Sequence, residues 1–148
     1  MTPKRNPLPR EGTLLALDPG ERRVGVAVCD ATQAVARPLA TLERRPLRRL
    51  LRDLDGLLDE HQVTGLVIGL PLLESGERGK QAQRAQSLAF QLRERWPDLP
   101  QELWDERWSS AEADEALEQA SRPEREAGRD AAAAAVILQS YLDARATE

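Results

Sequence analysis

The sequence predicts an α/β domain built on a five-stranded mixed sheet with helices on both faces. Three observations lead there. Three short β segments, at about 13–17, 23–30 and 34–43, follow one another through short turns, as in an antiparallel meander. Two later apolar segments, 63–71 and 101–104, each follow a stretch with helical spacing. Right-handed crossovers then lay those two strands parallel to the first.

The elements follow in order. Residues 1–12 are polar and proline-rich with Lys4, Arg5 and Arg10, and read as a disordered basic tail ahead of a single domain over 13–148. Leu14-Leu15-Ala16-Leu17 runs into Asp18, and Pro19-Gly20 turns the chain into Val24-Gly25-Val26-Ala27-Val28-Cys29, which reads as a hairpin. Pro46 opens a helix to about residue 60, with Leu47, Leu50, Leu51, Leu54, Leu57 and Leu58 at helical spacing. Residues 63–71 are apolar on both faces, which marks a central strand. A loop at 72–80 leads to a helix at 80–96, stopped by Pro97, and a short strand follows at 101–104. Ser109 and Glu112 stand at capping-box spacing, so a helix starts there and runs to about 120. A charged loop at 121–128 precedes a last helix at 130–144, with Val136, Ile137, Tyr141 and Leu142 as expected core contacts.

Composition removes several classes of chemistry. No apolar run is long enough for a membrane span, and the N-terminal stretch lacks the apolar region of a secretory signal, so the expected location is the cytoplasm. A single cysteine, Cys29, excludes an intramolecular disulfide or a cysteine metal cluster. A single histidine, His61, excludes a histidine-rich site. Any metal chemistry therefore falls to carboxylates, which favour Mg or Mn over Zn. Net charge is −4, yet the 21 basic residues are all arginine except Lys4 and Lys80. They cluster at Arg22-Arg23, at Arg44, Arg45, Arg48, Arg49 and Arg52, and at Arg122, Arg125 and Arg129. The guanidinium fork matches phosphate, while codon bias in a GC-rich genome accounts equally for arginine abundance.

The predicted topology brings the C-terminal ends of the first and the helix-connected strands to one sheet edge, where open α/β sheets bind ligands. Asp18, the Gly69-Leu70-Pro71 turn and Asp105-Glu106 fall there. Three or four carboxylates can hold the two metal ions of a phosphodiester hydrolase. The candidates are Asp18, the pair Asp105-Glu106, and Asp130. Strand alternation sends Asp105 and Glu106 to opposite faces, and Glu106 has the longer reach. Asp18 serves equally as a turn former, Asp130 as a favourable acid at a helix start, and Ser109 and Ser110 as caps or phosphate contacts.

Four stretches resemble the YqgF/RuvX family: Leu17-Asp18-Pro19-Gly20-Glu21-Arg22-Arg23-Val24-Gly25-Val26-Ala27, then Val67-Ile68-Gly69-Leu70-Pro71, then Asp105-Glu106-Arg107-Trp108-Ser109-Ser110, then Asp130-Ala131-Ala132-Ala133-Ala134 with Ile137-Leu138-Gln139-Ser140-Tyr141-Leu142. Their order covers nearly the whole chain after residue 12. Members are ribonuclease H-like proteins, described as Holliday-junction-resolvase-like and as nucleases maturing pre-16S ribosomal RNA. The resemblance implies a ribonuclease H-like fold and Asp18, Glu106 and Asp130 as catalytic, metal-binding acids for Mg or Mn. Arg22 replaces a common lysine, Ser109-Ser110 replace paired threonines, and Trp108 replaces an aliphatic residue.

The expected function is a two-metal endonuclease acting on structured precursor ribosomal RNA or branched DNA. Arg22, Arg23, Arg107, Ser109, Ser110, Arg125 and Arg129 are the expected contacts to nucleic acid. Cutting opposed strands of branched DNA requires a two-fold homodimer. Two other readings stand beside it. One is a non-catalytic ribosome-assembly module that binds RNA. The other is an ATP-binding domain of the actin and sugar-kinase type, for which the chain lacks a second Asp-x-Gly turn.

Overall fold

The computed structural model describes residues 8–71, 79–106 and 128–146, without the side chains of Pro71 and Glu106. Five strands form one sheet in the order β3-β2-β1-β4-β5. They are β1 (Thr13–Pro19), β2 (Arg23–Cys29), β3 (Ala36–Glu43), β4 (Val63–Pro71) and β5 (Gln101–Glu106). The described helices are α1 (Leu47–Glu60), α2 (Lys80–Arg95) and α3 (Arg129–Ala146). β1, β2 and β3 pair antiparallel, and β4 joins β1 and β5 in parallel. The mixed sheet expected from the sequence is present, with β4 at the centre of its parallel half. The helix expected at 109–120 and the loops at 72–78 and 121–127 lie outside the described residues.

Strand alternation divides the core in two. Leu15 and Leu17 of β1 and Val24, Val26 and Val28 of β2 meet Leu50 and Leu54 of α1 and Leu88 and Leu92 of α2. The alternate residues Leu14, Ala16, Ala27 and Cys29 meet Ala134, Ile137, Leu138, Tyr141 and Leu142 of α3 on the other face. Helices therefore cover both faces. The sheet side of α3 begins with buried Ala131, Ala132, Ala134 and Ala135, small residues that let its first turns lie close to the strands. Val136, an expected core contact, is only half-buried because that narrow alanine face takes the sheet side.

The basic segment before β1 differs from the expected tail. Leu8 is buried among Leu14, Val67 and Leu138, and Arg145 donates to the carbonyls of Leu8 at 2.8 Å and Pro9 at 3.1 Å. Gln33 donates to the Pro9 and Gly12 carbonyls. One apolar side chain and three anchored carbonyls tie residues 8–12 to the domain. Residues 1–7 lie outside the described residues.

Candidate active site

Asp18 is the penultimate residue of β1, and its register partner on β2 is Gly25. It follows Leu14 and Ala16 in alternation, so it points to the α3 face. Gly25 shares that face with Ala27 and Cys29. A Cβ on Gly25 would come within 1.8 Å of the Asp130 carbonyl oxygen. Only a glycine lets the first turn of α3 rest on β2 at this point. That contact brings Asp130 beside Asp18.

The consequence is electrostatic. The Asp18 carboxyl is pushed up to about 6, chiefly by burial and further by the negative charge of Asp130. Asp18 is the buried member of the pair, and Asp130 lies near enough for its charge to disfavour ionisation of Asp18. Arg23, two residues before Gly25 on the same face of β2, places Nε 3.3 Å from Oδ2 of Asp130. Both of those side chains stay open to solvent, so the pair is an adjustable surface contact.

The hairpin tip is built around Gly20. Its N–H donates to the Arg23 carbonyl at 2.9 Å, and a Cβ there would meet that oxygen at 2.6 Å. Arg44 locks the tip in place. Its Nη1 donates to the Gly20 carbonyl at 2.7 Å and its Nη2 to the Arg84 carbonyl of α2 at 3.0 Å. Its backbone N–H donates to the Arg22 carbonyl at 2.9 Å. Arg22 itself is exposed at the tip, and Arg129 is exposed in the first turn of α3.

Glu106 ends β5, its backbone in register with Pro71 of β4, at the same strand-end edge as Asp18. Asp105 is exposed, and alternation from Leu103 places it on the α1–α2 face, away from Asp18. Arg107, Trp108, Ser109, Ser110 and Arg125 lie outside the described residues. No group of three or more His, Cys, Asp or Glu side chains forms a metal cluster among the described residues. Cys29 is core, with its Sγ accepting from the Leu14 N–H at 3.2 Å. His61 caps the C-terminus of α1, its N–H bound to the Leu57 carbonyl. A cavity of about 590 Å³ lined by Arg10, Gln101, Trp104 and Arg145 lies at the opposite sheet edge.

The two described acids fit a hard divalent cation. They offer carboxylate oxygens, among the described residues no sulfur or imidazole stands beside them, and a cation would offset the burial and the Asp130 charge that raise Asp18. Sequence reasoning missed Gly25 and Arg44. A glycine within a run of β-branched residues is a signal of close backbone approach. Nothing in the sequence distinguishes Arg44 from its neighbouring arginines.

Comparison with known proteins bears on the family and the fold. Residues 12–144 match the model of a family described as "RuvX: Holliday junction resolvase". A Chloroflexus aurantiacus protein named "Putative pre-16S rRNA nuclease" is 42% identical over 134 residues, covering 89% of this chain and 87% of that protein. A protein of the same name from Rhodobacter capsulatus is 41% identical over 138 residues, covering 92% and 86%. Among solved structures, the fold is similar to Thermus thermophilus RuvC in complex with Holliday junction substrate, with a TM-score of 0.53 at 16% identity and coverage of 92% and 96%. It is also similar to Fowlpox virus resolvase in complex with Holliday junction DNA, with a TM-score of 0.57 at 9% identity and coverage of 90% and 98%.

Proposed function

The chain belongs to the RuvX Holliday junction resolvase family, and on that premise we propose that it is a metal-dependent endonuclease of structured precursor ribosomal RNA or branched DNA. The observation that carries this reading is the meeting of Asp18 and Asp130 at the strand-end edge, on a glycine-made contact. Asp18, Asp130 and Glu106 are the proposed ligands of Mg or Mn. Alternation from Glu102 and Trp104 puts position 106 on the α3 face, which supports Glu106 over Asp105. When bound, the metal supplies Lewis-acid activation of water and neutralises charge on the leaving oxygen.

The chain's own residues have separate tasks. Asp18 and Asp130 keep the cation at the edge, and above about pH 6 Asp18 is ionised for that task. Arg22, Arg23 and Arg129 hold the substrate phosphates, with Arg107, Ser109, Ser110 and Arg125 completing the grip. Were Asp130 to hold a cation, Arg23 would be free to turn to phosphate, a small rearrangement for an exposed pair. Residues 13–148 act as one nuclease domain. The proposed location is the cytoplasm. Junction resolution further requires a two-fold dimer that presents two sites to opposed strands.

Purified protein with Mg or Mn is tested against four-way junction DNA, linear duplex and structured precursor RNA. Metal-dependent cleavage of the junction or the precursor is expected, and Asp18→Asn abolishes it while keeping nucleic-acid binding. Binding without cleavage would return the protein to the class of non-catalytic assembly modules. Sedimentation with junction DNA reports the dimer.

A further inference from the structure

We propose that Arg45 and the arginine-bearing first half of α1 form a second phosphodiester-backbone track, continuing from Arg22 and leading the substrate strand away from Asp18. This rests on the nuclease reading and assigns residues outside its site. The topology supplies the placement. β1 and β3 are each antiparallel to β2, so they run in the same direction, and β3 ends with Glu43 opposite Arg23. α1 therefore starts at the Asp18 edge and carries its C-terminal half away from it. The Arg44 N–H bonded to the Arg22 carbonyl joins the hairpin tip to the start of this track.

The charge order along α1 is the second observation. Arg48, Arg49 and Arg52 lie in its first half, which Asp53 closes, while the charged residues of the second half, Asp55, Asp59 and Glu60, are all acidic. The first turn has no acid and the last turn no base. This is the reverse of what the helix dipole favours. Helix stability does not explain the order, whereas cations gathered at the site edge do.

The third observation is the lack of counter-charge. Arg49 reaches Asp53 at 3.9 Å and Arg84 reaches Glu21 at 3.8 Å. The side chains of Arg45, Arg48 and Arg52 make no ion pair or hydrogen bond among the described residues. Arg48 and Arg52 lie one turn apart on one flank of the helix. Arg44 is held below its ordinary value by burial and by the charges of Arg45 and Arg84. Like charges collected in this way are relieved by a polyanion.

The test compares Arg45→Gln/Arg48→Gln/Arg52→Gln with wild type for binding to four-way junction DNA and to structured RNA across a salt series. Loss of three duplex phosphate contacts lowers the slope of log affinity against log salt by about 2 to 3, and affinity at moderate salt falls about tenfold or more. KM for metal-dependent cleavage rises while kcat stays near wild type. Arg45→Lys/Arg48→Lys/Arg52→Lys retains most of the slope. Arg37→Gln/Arg93→Gln, at the far edge, leaves it unchanged. A glutamine triple variant with the wild-type slope, in a protein that binds and cleaves, overturns the track and leaves the nuclease reading standing. Wild-type protein that neither binds nor cleaves overturns both. The DNA and RNA arms identify which backbone uses the track.

Discussion

Burial of Asp18, with the charge of Asp130 beside it, disfavours its ionised form, and that effect has a measurable sign. The folded-state value of about 6 for Asp18 lies above the ordinary 3.8. The folded protein therefore holds this proton more tightly than the unfolded chain does. The associated stability is fully present below about pH 4 and is lost as pH rises through about 6. The interval between 3.8 and about 6 corresponds to at most about 3 kcal/mol. Asp18→Asn removes the titration, so its melting temperature is expected to exceed that of wild type at pH 7 and to match it near pH 4. Millimolar Mg or Mn is expected to raise the wild-type melting temperature and leave the variant unmoved. Thermal melts across pH, with and without metal, check both. Asp18 was legible in the sequence because the predicted topology set it at the strand-end edge and the family motif carries an acid there; as a turn former alone it would have said nothing. The Arg23–Asp130 pair was not legible, because residues 107 positions apart meet only through the seating of α3 on β2.

At the scale of elements, the proposed site depends on the close approach of α3 to β2. Gly25→Ala places a methyl group against the Asp130 carbonyl, and backbone cannot yield as a side-chain end would. The expected result is a loss of about 1–3 kcal/mol with α3 displaced at its start. Cleavage should fall more than a hundredfold, beyond what partial unfolding explains; denaturant melts beside single-turnover rates separate the two. α1 gives the opposite relation. Arg48→Glu places an acid in the first turn, where the dipole favours it, and is expected to raise stability by about 0.3–1 kcal/mol. The same change should weaken nucleic-acid binding, so stability and affinity move in opposite directions. The leucines of α1 and the apolar run of β4 announced those elements, because their periodicity is set by the faces they bury. The packing of residues 8–12 went unread. Leu8 stands alone among polar and proline residues, and one apolar residue has no period.

For the molecule as a whole, the antiparallel meander and the parallel direction of the later strands followed from turn lengths and crossover handedness, both local rules that survive folding. The sites of close contact did not follow, since they depend on how elements meet. The net charge of −4 hides a division by edge: the arginines of the hairpin tip and of α1 gather where the parallel strands end. The seat of α3 on β2 also sets a clock. The first acid of the pair is made at residue 18 and the second only at residue 130, after most of the chain. A ribosome-bound chain that has not yet emerged past α3 holds Asp18 without its neighbour and leaves one face of the sheet bare. Such a chain is expected to be inert toward nucleic-acid backbone, even while surrounded by the ribosome's own RNA. A fragment ending before residue 128 makes this testable: it should lack metal-linked stabilisation and cleavage, and the addition of a separate α3 peptide should restore them in part.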